Sequence, residues 1–218
     1  MKSALAEAIG TALLLAAVVG SGIMGEQLAE GNAAITLLAN SLATGLALTA
    51  LIVALGPHSG AHFNPLVSIA LALRAQFPRR RLMPYLVAQF AGALIGVVIA
   101  HLMFDLRAFQ VSITVRDSPG QWLGELVATF GLVLVVLGCD RARPWSAPLA
   151  VGAYIAAAYW FTSSTSFANP AVTLARGFTD TFAGIAPAGI LPFILAQALG
   201  AALAVAVDRY LGPRREIQ

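Results

Sequence analysis

Apolar residues run along this chain in six stretches, near residues 4–23, 35–56, 83–104, 121–139, 146–163 and 189–211, with few charges inside any of them. About 20 helical residues cross the ~30 Å hydrocarbon core of a bilayer, so the pattern predicts six transmembrane helices. Two shorter apolar pieces, residues 64–74 and 169–178, lie after the second and fifth runs. At ~1.5 Å rise per residue, the first would make a helix of about 16 Å, a half span reaching from the midplane to one face. Both pieces open on Asn-Pro, at Asn64-Pro65 and Asn169-Pro170. Irregular backbone is tolerated in hydrocarbon only where it is buried in protein or lines a cavity, so two matched breaks point to a solute pathway.

The polar landmarks repeat in order. Glu7 and Thr11 recur as Glu125 and Thr129, Asn64-Pro65 as Asn169-Pro170, and Pro84, Gln89 and Gly92 as Pro192, Gln197 and Gly200. Each half carries three spans, an odd number, so the second half enters the membrane from the opposite side. The expected fold is therefore all-α: six transmembrane helices plus two re-entrant half helices in an inverted 3+3 repeat. It forms one domain over residues 1–218, with repeats at 1–108 and 117–212. The first run follows Lys2 as a signal peptide would, but Glu7 interrupts it and its counterpart recurs mid-chain, so it reads as a retained span.

Composition agrees: 59% of the 218 residues are hydrophobic, 11% are charged, and mean hydropathy is +0.82, well outside the soluble range. The lone Cys139 sits in an apolar run as a buried, inert thiol, and nothing suggests a metal or cofactor. The net charge of +3 is unevenly placed. One side carries Lys2, Arg74, Arg79, Arg80, Arg81, Arg141, Arg143, Arg209, Arg214 and Arg215, and the other Arg107, Arg116 and Arg176. The basic side should be cytoplasmic, with both termini inside. The run Arg79-Arg80-Arg81 is then a topology signal rather than a nucleic-acid site. Trp122 and Trp145, near span ends, suit interfacial anchors.

The doubled motif has its own chemistry. Asn caps the free amides at a helix start, and Pro at the first helical position forfeits no needed donor. If Asn64 and Asn169 meet at the midplane, their side-chain nitrogens offer two donors to a passing oxygen, beside the positive ends of both half-helix dipoles. Cations and protons are disfavoured there. An uncharged solute exchanges water for these donors and for carbonyls of the approaches, Gly60, Ala61 and His62 on one side and Ser164 and Thr165, as far as Ser166, on the other.

These features together resemble the aquaporin and glycerol-facilitator family, the major intrinsic proteins. The likeness rests on the six-plus-two layout, residues 59–65 (Ser-Gly-Ala-His-Phe-Asn-Pro), Asn169-Pro170-Ala171, and Glu7 and Glu125 in the first span of each repeat, and it covers the whole chain. It implies a passive channel, not an enzyme, in the cell's plasma membrane, with a pore in each chain of a homotetramer. The chain departs from the family pattern twice. The first motif ends in Leu66 rather than Ala, and Val172 stands where the family usually has the Arg that narrows the outer constriction. Arg176, four residues further on, points one helical turn toward the outer face and does not simply replace the missing group.

Carried over by spacing, the filter positions are Thr44, Ser166, Val172 and a fourth in the fifth span. Counting from Gly152 gives Tyr159 and counting back from Asn169 gives Ala157, with Tyr159 preferred. Such a ring has no fixed charge and differs from the aromatic, His and Arg ring of a strict water channel. It suits an uncharged solute larger than water: glycerol-like polyols, urea, or arsenite and methylated arsenicals, since residues 169–176 resemble a bacterial subgroup linked to arsenic resistance. Water should pass too.

Glu7 and Glu125 are read as acceptors for the Asn-Pro loops, and Gln89 and Gln197 as interhelical hydrogen-bonding groups. His62 braces its loop or senses pH, and His58 and His101 are unassigned. Two other functions fit parts of the pattern. One is a proton- or ion-coupled transporter built on inverted repeats, which would want an acid beside the substrate. The other is a non-conducting membrane interaction protein with a pore closed by Phe63, Leu66, Tyr159 or Phe167.

Overall fold

The structure is a computed structural model that describes the backbone of residues 1–142 and 144–212 and the side chains of residues 1–139 and 145–212. Among these it is helical throughout, with α1 Lys2–Leu28, α2 Ala33–Ser59, α3 Pro65–Leu73, α4 Leu82–Met103, α5 Pro119–Ala142, α6 Ala147–Phe161, α7 Pro170–Arg176 and α8 Pro187–Leu211. Five helices, α1, α2, α4, α5 and α8, are long and apolar enough to cross a membrane. The sixth span, α6, has 15 residues, shorter than the apolar run predicts. A 3-10 turn at Pro144–Ser146 takes up its start, and Thr162, already extended, ends it. The side chains of Arg141, Arg143, Arg214 and Arg215, counted in the charge asymmetry, lie outside the described residues.

Neighbour relations repeat between the halves: α1 packs on α2 and α4, α5 packs on α6 and α8, and α2 meets α6 between them. Lipid tails are as apolar as the side chains, so close van der Waals approach rather than water expulsion holds such helices together. Small residues permit it. A Cβ on Gly92 would come within 2.3 Å of the Ala8 carbonyl oxygen, and one on Gly200 within 2.3 Å of the Leu126 carbonyl oxygen. The two crossings are thus built alike, α1 on α4 and α5 on α8.

The half helices are shorter than expected. Nine residues form α3 and seven form α7, because each Asn stays extended as the cap and the chain turns away after Leu73 and Arg176. They meet end to end in the interior and each leans on the opposite half, α3 on α8 and α7 on α4. Leu66, at the first turn of α3, sits in a buried cluster with Val133, Leu137 and Ala201 rather than in the pore. Trp122, expected as an interfacial anchor, is half-buried against the cluster of Phe167, Ile185 and Phe193, whereas Trp145 is exposed. Cys139 is only partly buried, and the Ser146 hydroxyl lies 3.7 Å from its sulfur. At one end of the bundle Arg74 pairs with Asp208 at 2.8 Å, and Arg209 donates to the Leu73 carbonyl oxygen at 3.0 Å.

Candidate functional site

The two caps are alike in detail. Asn64 Oδ1 accepts from Leu66 N (2.9 Å), and Asn169 Oδ1 accepts from Ala171 N (3.0 Å) and Val172 N (3.3 Å). With its oxygen held by the helix, each amide turns its nitrogen toward the other half. Asn64 Nδ2 donates to the Ala168 carbonyl oxygen (2.7 Å), and Asn169 Nδ2 donates to the Phe63 carbonyl oxygen (2.8 Å). The sequence suggests two free amides. In the structure one hydrogen of each ties the two loops together, and an NH2 group has a second to offer.

The approaches are also matched, though they are not simply extended. Gly60, Ala61 and Phe63 on one side, and Thr165, Ser166 and Ala168 on the other, have positive φ. Left-handed backbone costs a non-glycine residue about 1–2 kcal/mol, so something must hold these turns. The buried carboxylates do. Glu7 Oε1 accepts from His62 N (3.0 Å) and Ser59 Oγ (2.6 Å), while its Oε2 accepts from Phe63 N and Gln89 Nε2 (both 2.7 Å). Glu125 Oε1 accepts from Phe167 N (2.8 Å), and its Oε2 from Ala168 N (2.8 Å) and Gln197 Nε2 (2.6 Å). Each glutamine then reaches the half helix, Gln89 donating to Ser68 Oγ (3.0 Å) and Gln197 to Thr173 Oγ1 (2.8 Å).

A cavity of about 710 Å³ passes between these elements. It runs from His58, Arg81 and Tyr85 at one end, past Asn64 and Asn169, to Tyr159, Val172 and Arg176 at the other. Gly60, Ala61 and His62 border it, as do Thr44 and Ser166. The structure therefore brings Thr44, Tyr159, Ser166 and Val172 to the lining of one cavity. The hydroxyls of Thr44 and Tyr159 share a hydrogen bond at 3.2 Å. Ala157, the alternative to Tyr159, is exposed on the outer surface of α6. Ser164 and Thr165 lie outside the cavity lining. Instead Arg116 holds them, its Nη1 standing 3.4 Å from both the Ser164 carbonyl oxygen and Thr165 Oγ1. His62 shares a hydrogen bond with Ser68 Oγ (2.9 Å) and its ring lies 4.8 Å from Phe77 and 5.3 Å from Tyr85. His58 borders the cavity, whereas His101 is buried away from it with Nε2 2.7 Å from Thr179 Oγ1.

Two arginines are buried at this end, Arg116, which the sequence marks only as an outer-side charge, and Arg176, which it directs toward the outer face. Arg116, from the segment joining α4 to α5, also donates to the carbonyl oxygens of Gly184 (2.9 Å) and Phe182 (3.1 Å). Burial lowers its pKa from the ordinary guanidinium value, with Glu125 and Tyr159 acting the other way. Arg176 lies over the Phe167 ring, 3.3 Å from its centroid, and its Nε donates to the Ala183 carbonyl oxygen. Spacing gave no signal for Arg116, since its contacts come from a loop folded back across the α7–α8 connection, where Gln110 N and Ser112 N donate to the carbonyl oxygens of Phe178 and Gly177.

Comparison with known proteins agrees with this architecture. The Major intrinsic protein family profile matches residues 1–168. Aquaglyceroporin AqpS of Rhizobium meliloti (strain 1021) is 53% identical over 210 residues, covering 96% of this chain and 90% of the relative. Aquaporin Z of Bradyrhizobium diazoefficiens is 32% identical over 228 residues, covering 97% of this chain and 93% of the relative. The solved aquaglyceroporin from Plasmodium falciparum superposes with a TM-score of 0.77 over 96% of both chains at 21% identity, which carries the fold. Paired half helices capped by cross-bonded asparagines, the family profile and the relatives agree that this multi-pass membrane chain belongs to the major intrinsic protein family.

Proposed function

We propose that the family's passive conduction of water and small uncharged solutes such as glycerol runs through the cavity between α3 and α7. Asn64 and Asn169 act at its centre, and Thr44, Tyr159, Ser166 and Val172 set its width. The observation that carries this reading is the reciprocal pair of Asn bonds beside a continuous cavity. Glycerol-like polyols, urea and neutral metalloid hydroxides such as arsenous acid share the required chemistry, a compact, neutral, hydroxyl- or amide-bearing molecule. The relative at 53% identity is an aquaglyceroporin by name, which supports solutes larger than water. The carbonyls of Gly60, Ala61 and His62 line the approach from one side. Glu7, Glu125, Gln89 and Gln197 brace the two loops, and residues 1–108 and 117–212 act as the two repeats. The basic end faces the cytoplasm of a plasma membrane with both termini inside, and four copies assemble, each with its own pore.

A coupled transporter is less consistent with the site. Among the described residues no carboxylate borders the cavity, and both buried glutamates are saturated by loop donors. Stopped-flow light scattering on proteoliposomes tests the channel. Val172→Arg should reduce glycerol permeability about tenfold, equivalent to ~1.4 kcal/mol in the barrier, while water flux persists. Equal glycerol flux in both proteins would remove Val172 from the constriction, and flux that needs a proton gradient would replace the channel by the transporter.

A further inference from the structure

Val172 leaves the expected ring without a charge, yet the next turn of α7 returns one. Helical side chains tilt toward the N-terminus, so a long residue covers the turn before its own Cα. Arg176, the last residue of α7, stands one turn beyond Val172, and both residues border the same cavity. It is 1% exposed and borders the same cavity as Tyr159, Ser166 and Val172. Phe167 supports one face of the guanidinium, and the Ala183 carbonyl oxygen takes its Nε. Among the described residues Nη1 is buried with no hydrogen-bond partner, and so is Ser166 Oγ, and both residues border the cavity. A buried polar atom without a partner costs about 1–3 kcal/mol, more when charged, so two of them on residues that line one passage leave donor and acceptor capacity that a small rotation would offer to a visiting partner.

We infer that Arg176, displaced one helical turn from the Val172 position, is the specificity-determining cation of this pore. It donates from Nη1 to the oxygen of a transiting uncharged solute, while Ser166 Oγ takes the solute's hydroxyl hydrogen. The chemical class is a small neutral alcohol, polyol or hydroxide, which has both an acceptor oxygen and a hydrogen to give. Arg116 does not compete for this role: its guanidinium, 5.3 Å from the Phe167 ring, is engaged by the carbonyl oxygens of Ser164, Phe182 and Gly184. It adds positive potential that, with Arg176, turns cations back. The inference rests on the cavity being the conducting pore.

Proteoliposome fluxes of water, glycerol and the guanidinium ion, a cation smaller than glycerol, test it in wild type, Arg176→Gln and Arg176→Lys. Wild type should pass water and glycerol and exclude guanidinium. Arg176→Gln should admit guanidinium at least about tenfold faster and change the glycerol-to-water ratio. Arg176→Lys should still exclude the cation but lose glycerol flux, because an ammonium lacks the guanidinium's planar fork. Guanidinium exclusion and a glycerol-to-water ratio in Arg176→Gln equal to wild type would overturn the role of Arg176. Wild-type vesicles no more permeable than empty ones would instead overturn the pore itself. If Arg176→Gln fails to assemble, Arg176→Lys and the exchange Val172→Arg with Arg176→Val decide: the exchange should keep out guanidinium, and leakage through either protein refutes the inference.

Discussion

Replacing Glu125 by Gln changes almost no volume and isolates the carboxylate's work as an acceptor. In the structure Glu125 is fully buried and accepts from Phe167 N, Ala168 N and Gln197 Nε2 at 2.6–2.8 Å, with the Ser164 hydroxyl also beside it. A glutamine has one acceptor oxygen and one NH2 group. The least costly arrangement keeps the oxygen toward Ala168 and Gln197 and sets the NH2 against the Phe167 N–H. That orphans one buried backbone donor, at about 1–3 kcal/mol, and reduces two charge-assisted bonds to neutral ones, at about 1 kcal/mol each. The sum is about 3–5 kcal/mol, on the order of 10 °C in unfolding midpoint for a chain of this size. Function should fall as well. Ala168, whose N–H Glu125 holds, supplies the carbonyl that receives Asn64 Nδ2, so a loosened loop displaces the central pair. Far-UV circular dichroism during heating of the detergent-solubilised protein reads the first effect and water permeability reads the second. An unchanged midpoint together with unchanged water flux would refute the idea that this carboxylate holds the second Asn-Pro loop.

Three further expectations use the same logic, beyond the Val172 and Arg176 substitutions above. Gly200→Ala pushes a Cβ to 2.3 Å from the Leu126 carbonyl oxygen, so α5 and α8 must separate, and thermal unfolding should show a loss of about 1–3 kcal/mol. Gly138→Ala, where a Cβ meets nothing within 4 Å among the described residues, should be neutral or stabilising by up to ~1 kcal/mol in the same assay. Asn64→Asp keeps an oxygen for Leu66 N but sets a second acceptor against the Ala168 carbonyl, 2.7 Å away. It should lower water flux in vesicles more than an Asn32→Asp control, whose side chain caps the exposed start of α2.

The halves differed in how much could be read in advance. Six spans and both half helices follow from runs of apolar residues and from Asn-Pro, signals confined to neighbours along the chain. Glu7 and Gln89 could be singled out because an ionisable or amide group inside hydrocarbon needs a partner, and their recurrence as Glu125 and Gln197 named the partner's kind. The left-handed turns at Ala61, Phe63, Ser166 and Ala168 gave no comparable signal, since only Gly60 among the approach residues advertises positive φ. The segment carrying Arg116 was equally silent, because an arginine between spans looks like any topology charge until its loop folds inward.

Sequence alone determined the membrane class, the helical layout, the duplicated caps and the acids and amides that brace them. Tertiary structure decided which side of each helix looks inward. A membrane helix is apolar toward lipid and toward its neighbours alike, so its pattern does not state its rotation about its own axis. Packing turns Tyr159 to the cavity and Ala157 to the outside, places Leu66 in a core cluster, and buries Arg176 on the same cavity as Val172. Those rotations, set by contacts between residues far apart in the chain, decide what chemistry the pore presents.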